Sequence, residues 1–205
     1  MLNTADKSKS LLALTAVVAS RVQIEGIRLA GCKTTSAPPV PGTPLRAFFG
    51  FQVETSADRG AGRIAVSAFF TVGAEAADGS GSPLVREFLS LHGAPRAGAT
   101  GGSDWPSLPF LTGVEFHLSY RIDSFEGISD DHLDAFGKMN GIYNAWPYLR
   151  EYVQSMTTRV GLPALTLPVL TGEAIQRMHE QAEAAGEAEG DAVVRPEAST
   201  AEGAS

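Results

Sequence analysis

The sequence predicts an α+β protein in which a four-stranded antiparallel sheet is followed by a long helix and a shorter C-terminal helix. Two observations carry this prediction. Between Val114 and Ile122 every second residue is apolar, which is typical of a strand with one wet face. Beyond Ile142 the apolar residues recur every three or four positions instead, which is the period of a helix packed along one face.

Three earlier segments have the composition of strands. The first starts at Val22, and its alternation changes phase at Gly26, as a β-bulge requires. Residues 45–55 and 63–75 alternate in the same way and are joined by a link of hairpin length, SADRGAG. The stretch APPVPGTP before the second strand is rich in proline, which lacks a donor, so it is expected to be an extended connection.

The long helix carries an apolar stripe that must be covered along its length. A sheet of four strands plus this helix leaves more apolar surface than a small monomer can bury, so we expect self-association. The stripe residues predicted to form the oligomer interface are Ile142, Trp146, Leu149, Val153 and Met156. Gly161 and Pro163 end the helix, and Thr171 caps the last one.

With 205 residues, the chain is expected to hold one domain with appendages. We assign residues 1–20 to an N-terminal helix or extension, residues 21–182 to the domain, and residues 74–104 to an insertion within it. Residues 183–205 are predicted to be a disordered acidic tail. From Glu180 onward there are seven acids and one base, so this end carries −6 of the net charge of −7.

The N-terminus has two readings. Lys7 and Lys9 precede the apolar residues 11–20, which resembles a short signal peptide. However, Ser10 could cap a helix, and Arg21 and a strand follow at once. No stretch approaches the ~20 apolar residues of a membrane span, so membrane insertion is not expected. The single cysteine, Cys32, excludes an internal disulfide, and we expect a cytoplasmic protein.

The sequence holds no pattern that predicts catalysis. It lacks a phosphate-binding glycine loop and a nucleophile elbow. The four histidines, His92, His117, His132 and His179, do not have metal-ligand spacing. We therefore expect no enzyme, no metal and no cofactor. The net negative charge also argues against a nucleic-acid partner.

The stretch IYNAWPYLREYVQSMTTRVGLPALTLP resembles the signature of the SecB family of export chaperones. The matching residues are Pro147, Tyr148, Arg150 and Glu151, followed by Gly161, Pro163 and Leu165. VQIEGIRLAG is similar to the first strand of the family, and APPVPGTP stands in place of its crossover loop.

This resemblance implies a homotetramer, built as a dimer of dimers, that holds unfolded precursor proteins without ATP and delivers them to SecA for export through the Sec translocase. The residues expected to contact client polypeptides are Val40, Pro44, Leu45, Phe49, Phe51, Phe70, Leu170, Ile175 and Met178. For the three phenylalanines a place in the core is expected ahead of one in the groove, because inward strand faces are usually buried.

Two positions at which the chain departs from the family leave SecA binding open. The acids that engage SecA in the family would fall near Gly31 and Thr35, neither of which is acidic. The alternatives are a SecB-like chaperone dedicated to one partner, such as an antitoxin, and a structural oligomer that is not a chaperone.

Overall fold

The computed structural model describes residues 4–38, 42–77 and 107–179, with side chains from residue 11 onward, and it confirms an α+β fold. Its elements, in chain order, are α1 (Thr4–Ala19), β1 (Val22–Thr35), β2 (Leu45–Asp58), β3 (Arg63–Ala76), β4 (Phe110–Ile122), α2 (Asp130–Phe136), a π-helical turn (Gly137–Gly141), α3 (Ile142–Arg159) and a C-terminal helix (residues 172–179).

The four strands form one antiparallel sheet in the order β1-β4-β3-β2. The first two strands therefore lie at opposite edges, although they are consecutive in the chain. The crossover, residues 36–44, has to cover three strand spacings, about 14 Å. Nine extended residues can span about 30 Å, so the proline-rich stretch is long enough.

β1 contains two register shifts against β4. The first lies between Ile24 and Gly26, which confirms the predicted bulge at the phase change. The second lies between Leu29 and Gly31, and the sequence analysis missed it. The sheet has one face covered by helices, here called the helix face, and an opposite outer face.

The stripe of α3 packs on the helix face of its own sheet. Ile142, Leu149 and Val153 are fully buried, and Trp146 is nearly so, with its ring against Phe70 at a centroid distance of 6.2 Å. The four side chains are therefore covered within the chain and are not at the surface where we predicted an oligomer interface. Met156, the fifth predicted residue, is half-buried against the same core.

The π-helical turn allows this close packing. A Cβ atom at Gly141 would lie 2.6 Å from Val66 Cγ1, so a larger residue would push the helix off β3. Tyr120 of β4 is buried beside Phe136 of α2. This burial raises the pKa of the Tyr120 phenol to about 12. Asn144 donates a hydrogen bond of 3.0 Å to the Tyr120 hydroxyl.

Helix α1 belongs to the core of the domain. Val18 is fully buried, and the buried Thr15 hydroxyl donates a 3.0 Å hydrogen bond to the carbonyl of Ala135 in α2. Removal of α1 would expose Val18 and leave the Ala135 carbonyl without this donor.

The predicted insertion begins later than expected. Ala74 pairs with Phe110 and Ala76 pairs with Leu45, so β3 continues through the first three residues assigned to the insertion. Glu75 forms an ion pair with Arg46 on the neighbouring strand, which holds this end of the sheet together. The remainder of the insertion beyond residue 77, the acidic tail and Val40 lie outside the described residues.

We expect the α1 hydrogen bond to contribute measurably to stability. Thr15→Val keeps the shape of the side chain but leaves the Ala135 carbonyl without its hydroxyl donor, so the free energy of unfolding should fall by about 1–2 kcal/mol. Thr158→Val is the matched control, because its hydroxyl is exposed and bonds within its own helix. Urea unfolding checks both, and an equal loss in the two variants would contradict the role of Thr15.

Candidate client-binding groove

An apolar cavity of about 500 Å³ opens beside the first residues of β2, and we call it the groove. Its floor is formed by Leu45 and Ala47 of β2 and Ala74 of β3. One wall is the end of the crossover, and the other is the connector that follows α3. The ten lining residues, none of which is charged, are Gly42, Thr43, Leu45, Ala47, Ala74, Thr157, Leu162, Pro163, Ala164 and Leu165.

The connector wall is held in place by hydrogen bonds from α3. Trp146 Nε1 donates to the carbonyl of Pro168 at 2.8 Å, and Arg150 Nε donates to that of Leu167 at 2.9 Å. Both donors lie in the signature stretch. A planar guanidinium presents its donors in a fixed fork, which suits the clamping of an extended backbone.

Thr157 fixes the beginning of the connector. Its hydroxyl donates to the Val153 carbonyl at 2.9 Å and accepts from the Leu165 amide at 3.0 Å. Gly161 has a φ of 81°, the left-handed conformation that ends many helices and that glycine adopts without strain. The chain therefore reverses at Gly161, and Leu162 and Leu165 come to face β2.

Three predicted client-binding residues lie at the surface near the groove. Pro44 is exposed at the end of the crossover, and its carbonyl accepts from the Ala77 amide at 2.8 Å. Leu45 lines the groove and is 36% exposed. Phe49 lies on the same face of β2, two residues beyond Ala47, and is 38% exposed, so the apolar surface continues along the strand.

The other described residues of that prediction are less accessible. Phe70, Leu170 and Ile175 are buried in the core, so they do not offer a surface to a client. Phe51 and Met178 are half-buried, and the Phe51 ring lies edge-on to His179, with centroids 5.0 Å apart. The C-terminal helix thus covers the middle of β2 and leaves only its beginning open.

Sequence reasoning missed most of the groove lining. Ala47 and Ala74 are too small to stand out in an apolar pattern, yet their size makes the floor concave. Leu162 and Ala164 lie within the signature stretch but were given no role of their own. The useful signal was the resemblance itself, since Pro163 and Leu165 were named as part of the signature.

The described histidines have structural partners. His132 Nδ1 accepts from the Ser129 amide at 3.1 Å in a capping box, as expected for a helix start rather than a ligand site. His117 lies between Arg28 and Glu115 on the outer face, and His179 contacts the Lys138 carbonyl. Within residues 4–38, 42–77 and 107–179, no group of three or more His, Cys, Asp or Glu side chains could hold a metal ion.

None of the helices in the described part of the chain is long and apolar enough to cross a membrane.

Burial raises the pKa of Tyr152, whose hydroxyl lies 3.2 Å from that of Thr34. This contact joins α3 to β1 at the edge of the sheet opposite to the groove.

Comparison with known proteins gives partial sequence matches. No family model matches the chain. The SecB-like chaperone Rv1957 of Mycobacterium tuberculosis is 34% identical over 62 residues, which is 30% of this chain and 33% of that protein. The SecB-like chaperone MT2006, from another strain of the same species, matches equally well. The chain thus spans about a third of the length of the curated relatives it matches.

The structural comparison covers far more of the chain. The Rv1957 SecB-like chaperone, solved in complex with a ChAD peptide from the HigA1 antitoxin, superposes with a TM-score of 0.59 at 21% identity, over 78% of this chain and 97% of that one. The chain has a SecB-like fold. The resemblance drawn from the signature stretch is thereby confirmed, and the SecB-like fold gives the groove its architecture.

We expect Leu45 to contribute to client binding rather than to stability. Leu45→Asn places an amide in an uncharged groove, so the affinity for an apolar polypeptide should fall about tenfold, since a fully buried leucine contributes about 1.5–3 kcal/mol. Leu12→Asn is the matched control, because Leu12 is 45% exposed on α1. Fluorescence anisotropy with a labelled unfolded protein measures both, and equal affinities would remove Leu45 from the site.

Proposed function

We propose that this SecB-like chain is an ATP-independent chaperone that holds an extended apolar segment of one dedicated partner protein in the groove. The observation that carries the proposal is the uncharged groove beside Leu45, whose walls are fixed by backbone hydrogen bonds. Such a surface can bind an extended chain by hydrophobic burial, and no group that binds phosphate lines it.

The proposal of a chaperone with one dedicated partner is supported by the similar protein of known structure, whose bound ligand is an antitoxin peptide. The outer face of β1 also argues for it. Near Gly31 and Thr35, where the family acids that engage SecA were expected, the neighbouring residues on the same face are Arg28 and Lys33. A general export holdase that delivers clients to SecA is the competing proposal.

Suppression of aggregation separates these two proposals. We expect that chemically denatured, unrelated model proteins remain incompletely protected at one assembly per client, without nucleotide, because a dedicated groove fits few sequences. Light scattering measures this, with the Leu45→Asn variant as the control for groove binding. Complete protection at that ratio together with SecA binding at low salt would contradict the dedicated reading. If neither a model protein nor the HigA1 ChAD peptide bound, the general export holdase would be overturned.

We further propose that the protein assembles as a dimer of dimers in the cytoplasm, as the family resemblance implies. Because four of the five predicted stripe residues are buried within the chain, we look for the contact at another surface. Ile24 and Leu29 on the helix face of β1, with Tyr148 on α3, form an apolar surface that remains exposed near that edge, and Tyr148 lies beside Phe116, the β4 partner of Leu29. Edge strands of this kind are usually covered by another chain or element.

Leu29 gives a test of self-association. Leu29→Asp puts a charge on a side chain that is 47% exposed at the β1 edge, so the mass of the assembly should fall. Size-exclusion chromatography with light scattering measures the mass. Leu12→Asp is a matched control of similar exposure elsewhere, and an unchanged mass for Leu29→Asp would tell against an interface at β1.

A further inference from the structure

The outer face of the sheet carries a shallow depression that the groove does not use. Gly26, Ser119, Ala65 and Ser56 are paired in register across all four strands, so a row of small residues crosses the sheet. The depression above the β1, β4 and β3 part of this row has a volume of about 390 Å³.

Cationic side chains flank this row on both sides. On one side Arg28 lies beside His117, and on the other Arg121 lies beside Arg63. The two flanking rows are four residues apart along a strand, which corresponds to about 13 Å. All three arginines are exposed, and the side chain of Arg63 is 66% exposed.

The hydrogen bonds of Arg28 and Arg121 go to an imidazole and an amide rather than to a carboxylate. Arg28 Nη2 lies 2.8 Å from His117 Nδ1, and arginine can only donate, so Nδ1 accepts. His117 Nε2 then donates to Glu115 Oε1 at 2.6 Å. Arg121 donates to the neutral amide of Gln23 at 2.8 Å. Arg63 has a carboxylate of Glu25 at a longer distance, 3.7 Å.

The charge of the outer face changes sign across the sheet. At the β2 end of the same two rows stand Glu54, which pairs with Ser67, and Asp58, which pairs with Arg63. The positive end therefore lies over β1 and β4, although the chain as a whole has a net charge of −7. A charged ligand on this face would bind in one direction, with its negative groups towards β1.

We propose that this face docks an extended acidic segment of a partner polypeptide. An extended chain that lies in the depression projects successive side chains to opposite sides, so alternate carboxylates reach Arg28 on one side and Arg121 on the other. The floor of small residues allows close approach of the backbone. The site is on the sheet face opposite to the groove, so it does not rest on the proposed chaperone activity.

The test uses the full chain and a labelled peptide of eight consecutive glutamates, which places carboxylates on both sides of an extended backbone, with eight consecutive glutamines as the uncharged control. We expect anisotropy to show binding of the acidic peptide alone, weakened by salt. Arg28→Gln and Arg121→Gln should each weaken binding about threefold, and the double variant about tenfold, since exposed charge pairs contribute modestly. Arg159→Gln, an exposed arginine at the end of α3, is the matched control and should change nothing.

Three outcomes would overturn the proposal. Binding that is insensitive to the Arg28 and Arg121 substitutions would place the peptide elsewhere, and preference for an oligonucleotide of equal charge would assign the face to nucleic acid. The third concerns the acids beyond Glu180. If the peptide bound only after Glu183→Gln, Glu187→Gln, Glu189→Gln and Asp191→Asn were combined in the full chain, the occupant would be this chain's own C-terminal segment.

Discussion

The packing of α3 on the helix face of the sheet is the contact on which the rest of the structure depends. Trp146 stands at its centre, with its ring edge-on to Phe49 and Phe70 and its indole nitrogen bonded to the Pro168 carbonyl. Replacing a buried tryptophan with alanine typically costs about 3–5 kcal/mol. Here the same side chain also holds the connector, so core packing and the groove wall are coupled through one residue.

This coupling gives the signature stretch a physical meaning. Arg150 clamps the connector, Gly161 supplies the left-handed residue at which the helix ends, and Pro163 and Leu165 line the groove. None of these residues is a reactive group. The stretch specifies the shape of a wall.

Periodicity predicted the strands, the helices and the bulge at Gly26, because each depends on which face of an element is apolar. It could not tell which surface covers a face. The α3 stripe was assigned to a second copy, whereas β3 and β4 of the same chain bury it. For the same reason the sequence did not distinguish Phe49 from Phe70, and both were predicted to lie in the groove or in the core. In the structure Phe70 lies under α3, whereas Phe49 is partly exposed. Apolar alternation shows which face of a strand is buried. It does not show which part of that face the helix covers, because this depends on the tertiary structure.

The two sheet faces differ in what they can discriminate. The groove is lined without charge, so it can select a client by length and apolar volume, and a difference of one methylene in such a pocket contributes only about 1–3 kcal/mol. A chaperone that serves a single partner needs more discrimination than that. Charged groups supply it through repulsion of wrong partners as well as attraction of the right one. The outer face, positive at Arg28 and Arg121 and negative at Glu54 and Asp58, has both signs in fixed positions.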